Sequence, residues 1–239
     1  RLWGLGDVAT ERAATSDEIA RMQDVLRECL RAGAVGLSTS FVDVDEHLRP
    51  VPSRHAHQEE LEALAVVLGE SGRMLQVVPE FYSTDITIAR VDQLAELSLT
   101  HGIPTTFSPL FDSAATPENV ARVMGRVEEQ FARGARVWPQ MQTRPIDISF
   151  SFEQASLMFA ALPSWYRVMR LPRGARLEAL RDPETREKLL AEVCAIGGGP
   201  KRFGDLRVRA TGSEALRSLV GRRLGELAGA RGVTPAEAM

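Results

Sequence analysis

The sequence has 239 residues, of which 44% are hydrophobic and 26% are charged, a composition typical of a globular protein with a substantial core. Its formal net charge of -3 and its dispersed arginines argue against nucleic acid as a partner. Cys29 and Cys194 show no metal or redox spacing, and no apolar run is long enough for a membrane span. We therefore expect a cytoplasmic protein without a membrane partner.

The beginning of the chain alternates helical patterns with short apolar runs. Thr15 and Glu18 have the spacing of a capping box and predict a helix that Gly33 ends. The apolar run at 34–40 predicts a strand, and a second helix is expected from about 57 to 68. These elements predict the first βα unit.

The alternation continues to residue 142. Further strands are predicted at 74–78, 104–110 and 135–142. A helix is expected at about 86–99, and Thr116 is predicted to be the N-cap of another. Because successive strands start 30 to 40 residues apart, helical crossovers suit them better than hairpins. Residues 1–145 are therefore predicted to form an α/β domain of consecutive βα units, with adjacent parallel strands in chain order.

Residues 146–239 depart from this alternation and are predicted to be a mostly helical insertion followed by the start of the next βα segment. Helices with several aromatic residues are expected at about 150–196, then a glycine-rich joint, a strand at 206–210 and a helix at 213–230. The aromatic residues could line an acyl pocket or form a hydrophobic seam. Because the chain starts at Arg1 and stops within a helix-like opening, we expect an internal piece of a longer protein.

Candidate site residues lie at or just beyond the carboxyl ends of the predicted strands, because parallel βα folds collect ligands there. Ser38 and Ser40 could offer hydroxyl groups to a substrate, and Glu80 could act as a catalytic base. Gln140 and Arg144 could hold an amide or a carboxylate. The alternative for each residue is that its polar group caps a loop.

The histidines do not predict a metal site. His55 and His57 form a His-Ala-His, but they lie in a proline-bounded loop instead of following an apolar strand. His47 lies in the same loop, where it could bind a metal only loosely, and His101 precedes a helix-ending glycine. No metal ligand is therefore assigned within this chain.

Three strings carry a family resemblance: Gly-Ala-Val-Gly-Leu-Ser-Thr-Ser at 33–40, Pro-Val-Pro-Ser-Arg at 50–54 and Glu-Glu-Leu-Glu-Ala-Leu-Ala at 59–65. In order and spacing they resemble the N-acyl-D-amino-acid deacylase (D-aminoacylase-like) group of the amidohydrolase superfamily, and the resemblance extends over most of the chain. It implies strands four to seven of a TIM-like (β/α) barrel and hydrolysis of a non-peptide carbon–nitrogen bond in a small-molecule substrate.

The resemblance also implies zinc or another divalent metal in the full-length enzyme, with ligands mainly outside this chain. Members of the family have histidines at the ends of the two strands that follow the Gly-Leu-Ser-Thr strand, whereas this sequence reads Val78-Pro79-Glu80 and Phe107-Ser108-Pro109 there. The isolated chain is therefore expected to be inactive. A partial barrel would expose two sheet edges and an apolar inner face, so self-association into a homo-oligomer is expected.

Two other functional interpretations stay open at this point. The chain could belong to a barrel-derived binding or assembly module without catalysis, an interpretation that the missing strand-end histidines keep open. A barrel lyase or isomerase would need a base such as Glu80 facing a pocket.

Overall fold

The computed structural model describes residues 8–9, 11–44, 50–81, 83–112, 116–144, 149–153, 159, 162–195 and 203–239. His47 and the glycine-rich joint lie outside these residues. The chain divides into two compact units, Arg1–Pro145 and Ile146–Met239.

The first unit is an open parallel sheet with helices between its strands. Its elements are α1 Ser16–Arg31, β1 Gly36–Ser40, a 3₁₀ helix Pro52–His55, α2 Gln58–Glu70, β2 Met74–Val78, α3 Thr84–His101, β3 Thr105–Phe107, α4 Asn119–Ala132 and β4 Val137–Pro139. The strands pair in the order β1-β2-β3-β4, and each pair is parallel. This confirms the predicted α/β class and strand order, with the sheet of a partial barrel.

The first helix starts where the capping box predicts. Thr15 donates its backbone N–H to Glu18 Oε2 at 2.7 Å, and Glu18 donates its own N–H to Thr15 Oγ1 at 3.4 Å. Arg12 adds two hydrogen bonds of 2.8 Å to the Glu18 carboxylate. The guanidinium of Arg12, followed by the Thr15 amide, therefore lowers the pKa of Glu18. These contacts stabilise the N-terminus of α1 in its charged form.

The strands are shorter than their apolar runs. The run 104–110 contains only Thr105–Phe107 as strand, and 135–142 contains only Val137–Pro139. The expected N-cap at Thr116 is wrong, because α4 begins at Asn119. Asp112 accepts the Val120 N–H at 2.8 Å and so caps this helix from eight residues upstream. A cap from such a distance leaves no signal in the local sequence.

Helices α3 and α4 are joined by a polar cluster as well as by apolar packing. Arg126 binds both Asp92 oxygens, at 2.6 and 2.9 Å, and Gln130 donates to the same carboxylate at 2.7 Å. Gln130 is buried, so its amide needs this partner. The cluster fixes how the two helices lie against each other.

The second unit is mainly helical. Its elements are α5 Pro163–Met169, α6 Arg173–Arg181, α7 Pro183–Ala195, a 3₁₀ helix Glu214–Leu219, α8 Leu224–Arg231 and α9 Pro235–Ala238. The strand predicted at 206–210 is absent from the described residues, where only an isolated antiparallel bridge joins Arg207 to Arg223. The helix predicted at 213–230 is broken, because Gly221 takes a φ of 86° between the 3₁₀ helix and α8.

The aromatic residues of the second unit form a hydrophobic core. Phe159 and Trp165 stack with their ring centroids 5.1 Å apart, and both are buried. Phe203 packs edge-on against each of them. The Trp165 indole donates to the Leu189 carbonyl at 2.8 Å, which satisfies its polar group. The sequence left two alternatives for these side chains, an acyl pocket and a hydrophobic seam. They pack against one another as a hydrophobic seam.

Within the described residues, no helix combines the length and the apolar character that crossing a membrane would require.

Candidate functional site at the carboxyl edge of the sheet

The predicted site residues follow strands that end at the same edge. Because β1 to β4 are parallel and paired in register, their carboxyl ends lie side by side. Hydrogen bonds continue this pairing beyond the strands: Ser108 donates its N–H to the Val77 carbonyl at 3.1 Å, and Gln140 donates to Phe107 at 2.7 Å. The fold therefore places the starts of the post-strand loops next to each other.

The two faces of this sheet differ in polarity. The outer face packs against the helices with the buried side chains of Leu75, Val77, Phe107 and Val137. Side chains alternate along a strand, so the residues between them belong to the opposite, inner face. The inner face carries the polar side chains of Ser38, Gln76, Thr106 and Gln140. Met74, Val78 and Trp138 lie on the inner face as well, so the described inner face is mixed, whereas a wholly apolar one was expected.

Two of the predicted substrate-binding residues are exposed and hydrogen-bonded to neighbouring strands. The Ser38 hydroxyl bonds to the Gln76 side-chain oxygen. Gln140 donates from Nε2 to Thr106 Oγ1 at 3.0 Å. Ser38 lies in β1 and Gln140 follows β4, and these two strands are three positions apart in the sheet, a lateral separation of about 14 Å. At this separation the two side chains can bind opposite ends of one extended ligand but not the same atom of it.

Ser40 supports the loop that follows β1. Its Oγ accepts the backbone N–H groups of Val42 at 3.3 Å and Asp43 at 3.1 Å. Its carbonyl accepts the Ser53 hydroxyl at 2.7 Å, and the residue is buried. The O–H hydrogen is all that this side chain keeps for a ligand.

Glu80 is held by an arginine. Arg90 binds Glu80 Oε1 at 2.8 Å and Oε2 at 3.3 Å, and the two side chains are only 17% and 18% exposed. The Arg90 guanidinium also lies 3.5 Å from the centroid of the Phe41 ring. This geometry suits a residue that fixes the loop after β2 to α3.

Arg144 is exposed, and no described residue forms a hydrogen bond or an ion pair with its side chain. Its guanidinium can therefore bind a carboxylate without breaking another contact.

A large cavity lies beside β1. It has a volume of about 880 Å³ and lies between α1, β1 and α2, with Met22, Leu26, Leu61 and Leu64 among its walls. Of the predicted site residues, Ser38 alone contributes to this wall. The cavity adjoins the free edge of β1 and has mainly apolar walls.

The structure brings no metal-binding cluster together. Among the described residues there is no group of three or more histidine, cysteine, aspartate or glutamate side chains that could hold a metal ion. His55 lies in the 3₁₀ helix, His57 is the N-cap of α2, and His101 ends α3. Each of these three histidines lies at the end of a helical segment.

Sequence reasoning missed Gln76, Thr106 and Arg90. Gln76 interrupts the apolar run at 74–78, and its polar side chain was the signal that one face of β2 is not covered by apolar groups. Arg90 left no signal, because its partner is ten residues away on another element.

Two solved structures have this fold. N-acyl-D-glutamate deacylase from Bordetella bronchiseptica, complexed with zinc and a phosphonate inhibitor, aligns with a TM-score of 0.52 and 19% identity over 98% of this chain. A D-aminoacylase variant in complex with copper chloride aligns with a TM-score of 0.50 and 16% identity, also over 98% of this chain. The chain has the fold of part of these deacylases.

This chain spans 38% of the length of each deacylase. No protein-family model matches the sequence, and no curated protein does. The sequence resemblance and the likeness in fold therefore indicate the same group of deacylases.

Proposed function

We propose that this chain is part of a hydrolase that cleaves the amide bond of an N-acyl-D-amino acid, a carbon–nitrogen bond other than a peptide bond. The observation that carries the proposal is the position of the exposed polar residues. They lie at the carboxyl edge of a parallel sheet whose fold is that of part of two deacylases. The cytoplasm is the proposed location.

The residues at this edge suit binding and orientation of such a substrate. Arg144 would bind its carboxylate, and Gln140 and Ser38 would hydrogen-bond its neutral groups. Ser40 would contribute its remaining O–H hydrogen while it supports the loop after β1. Holding both ends of the substrate fixes the amide bond in one orientation, which lowers the entropic part of the barrier.

The catalytic role of Glu80 stays a prediction. The carboxylate would have to leave Arg90, or be displaced by substrate, before it could accept a proton. Its present contacts favour a positioning role, in which the ion pair holds the loop after β2.

The donor set at this edge does not fit the zinc of the deacylase structure. Zinc sites are built from cysteine, histidine and carboxylate ligands. The strand ends instead offer the hydroxyls of Ser40 and Ser108, the amide of Gln140 and a carboxylate that Arg90 already binds. In the longer protein, the ligands of a divalent metal would therefore lie mainly outside this chain.

The test is a turnover assay on the longer protein with a panel of N-acetyl-D-amino acids and their L-enantiomers. We expect hydrolysis of at least one D-compound in preference to its L-form. Arg144→Met should raise KM by about tenfold or more, the loss expected for a charge-assisted hydrogen bond, and should raise it less for the methyl ester of the same substrate.

Arg73→Met is the matched control, because Arg73 is also exposed but precedes β2 at the opposite edge of the sheet. It should leave KM unchanged. Absence of hydrolysis across the panel would contradict the proposed function, and equal effects of the two substitutions would remove the role of Arg144. The likeness in fold to two deacylases supports the hydrolase over a non-catalytic binding or assembly module, so that alternative is not proposed.

A further inference from the structure

The inner face of the described strands carries no charged side chain, and a row of polar side chains crosses it between the apolar side chains of Met74, Val78 and Trp138. In register across the sheet, its residues are Gly36, Ser38 and Ser40 on β1, Met74, Gln76 and Val78 on β2, Thr106 on β3 and Trp138 on β4, with Gln140 following. Parallel strands that are covered on both faces are ordinarily apolar on both. A row of hydroxyls and carboxamides therefore indicates that this face meets polar groups.

Gln76 lies in the middle of this row. It is in register with Ser38 on one side and Thr106 on the other. Its side-chain oxygen accepts from the Ser38 hydroxyl, and its Nε2 donates to the Val77 carbonyl at 2.9 Å. These two contacts fix the orientation of the carboxamide. They leave it one N–H donor and one oxygen lone pair.

Thr106 and Gln140 form the second half of the row. Thr106 Oγ1 accepts from Gln140 Nε2 at 3.0 Å, and Thr106 is buried while Gln140 is exposed. The hydrogen bond holds the longer side chain against the sheet and restricts its rotamers. Gln140 keeps its carbonyl oxygen and a second N–H for a ligand.

We propose that Gln76 is a specificity-determining residue that binds the amide group of the substrate, and that Thr106 is a positioning residue that holds Gln140 beside it. This inference rests on the proposed function. An amide presents one N–H donor and one carbonyl acceptor, which are the complements of the two groups that Gln76 has left. A charged group would be desolvated on this face without a counter-charge, so the neutral amide is the part of the substrate that fits.

The experiment compares two ligands that differ in one atom, measured by equilibrium binding to the longer protein. The probes are N-acetyl-D-glutamate and its ester analogue, (R)-2-acetoxyglutarate, which has the same charges but lacks the amide N–H. We expect the wild-type protein to bind the amide more tightly. Gln76→Met, which keeps the length of the side chain, should lower the amide-to-ester preference by about tenfold. A purely structural role would not change this ratio.

Gln58→Met is the matched control, since Gln58 is an exposed glutamine at the first turn of α2, and it should keep the wild-type preference. Thr106→Val, with nearly the same shape, should weaken both probes equally because it acts through Gln140. Thermal unfolding of each variant checks that it is folded. Equal binding of both probes by the wild type, or an unchanged preference in Gln76→Met, overturns the inference. Wild-type binding without turnover contradicts only the proposed hydrolysis. Binding of neither probe overturns the inference, while the hydrolysis panel decides the proposed function.

Discussion

The close approach of β1 to β2 depends on the absence of a side chain at Gly36. A Cβ atom placed there would lie 2.2 Å from the Met74 carbonyl oxygen and 2.9 Å from Met74 Cγ, whereas ordinary contacts begin at 3.4 Å. The carbonyl belongs to the backbone of the paired strand, so the clash can be relieved only by moving β1 and β2 apart. Overpacking of this kind costs about 1–3 kcal/mol, and a weakened ladder hydrogen bond adds about 1 kcal/mol.

We therefore expect Gly36→Ala to lower the free energy of unfolding by about 2–4 kcal/mol, measured by urea denaturation followed by circular dichroism. The matched control is Gly125→Ala. Gly125 is exposed in the middle of α4, and a Cβ atom added there would have no neighbour within 4 Å. The same substitution should there stabilise the protein by about 1 kcal/mol, because alanine favours a helix. If Gly36→Ala proved as stable as the wild type, the close approach of β1 to β2 would not depend on this glycine.

Three further predictions concern individual side chains. Cys29 borders the cavity beside the free edge of β1, so maleimide should label Cys29 readily in this chain and much more slowly in the longer protein if a further strand of that protein fills the cavity. Exposed Cys194 is the internal reference. Equal labelling of Cys29 in both proteins would contradict the presence of such a strand. Glu80→Gln should lower stability by about 1–3 kcal/mol by thermal denaturation because it leaves Arg90 without its ionic partner, and an unaltered unfolding midpoint would show that the ion pair contributes nothing. Pairing with Arg12 lowers the pKa of Glu18, so its contribution to the free energy of unfolding is complete above the ordinary carboxyl pKa of about 4.3 and is lost as the pH falls below that value. When the free energy of unfolding is measured at decreasing pH, Glu18→Gln should lose less stability than the wild type. Equal losses in the two proteins would refute this.

The location of the candidate site stays a prediction of the strand-end rule. The rule predicts that Ser38, Gln140 and Arg144 lie at one edge of the sheet, and the structure has all three side chains exposed. The rule gave no indication that Glu80 is bound by Arg90, because pairing between a loop and the middle of the next helix depends on the rotation of that helix. The chemical roles of these residues stay predictions for the assays above.

The sequence by itself determined the order of the βα units. Strand spacing, helical periodicity and the capping box at Thr15 are local, and the right-handed crossover rule converts them into one parallel sheet. Local patterns failed where a distant group intervened. Asp112 caps α4 from outside the helix, and the segment 206–210 contains only the bridge of Arg207 to Arg223 where a strand was predicted.

Only the tertiary structure decided which polar groups are available to a ligand. Ser40 and Ser38 are the same residue type two positions apart, yet the hydroxyl of Ser40 is engaged by its own loop while that of Ser38 lies on the exposed inner face beside Gln76. The physical reason is that a hydrogen bond depends on distances between groups brought together by folding. A sequence specifies the donors and acceptors, whereas the packing of strands and helices determines which of them are already paired.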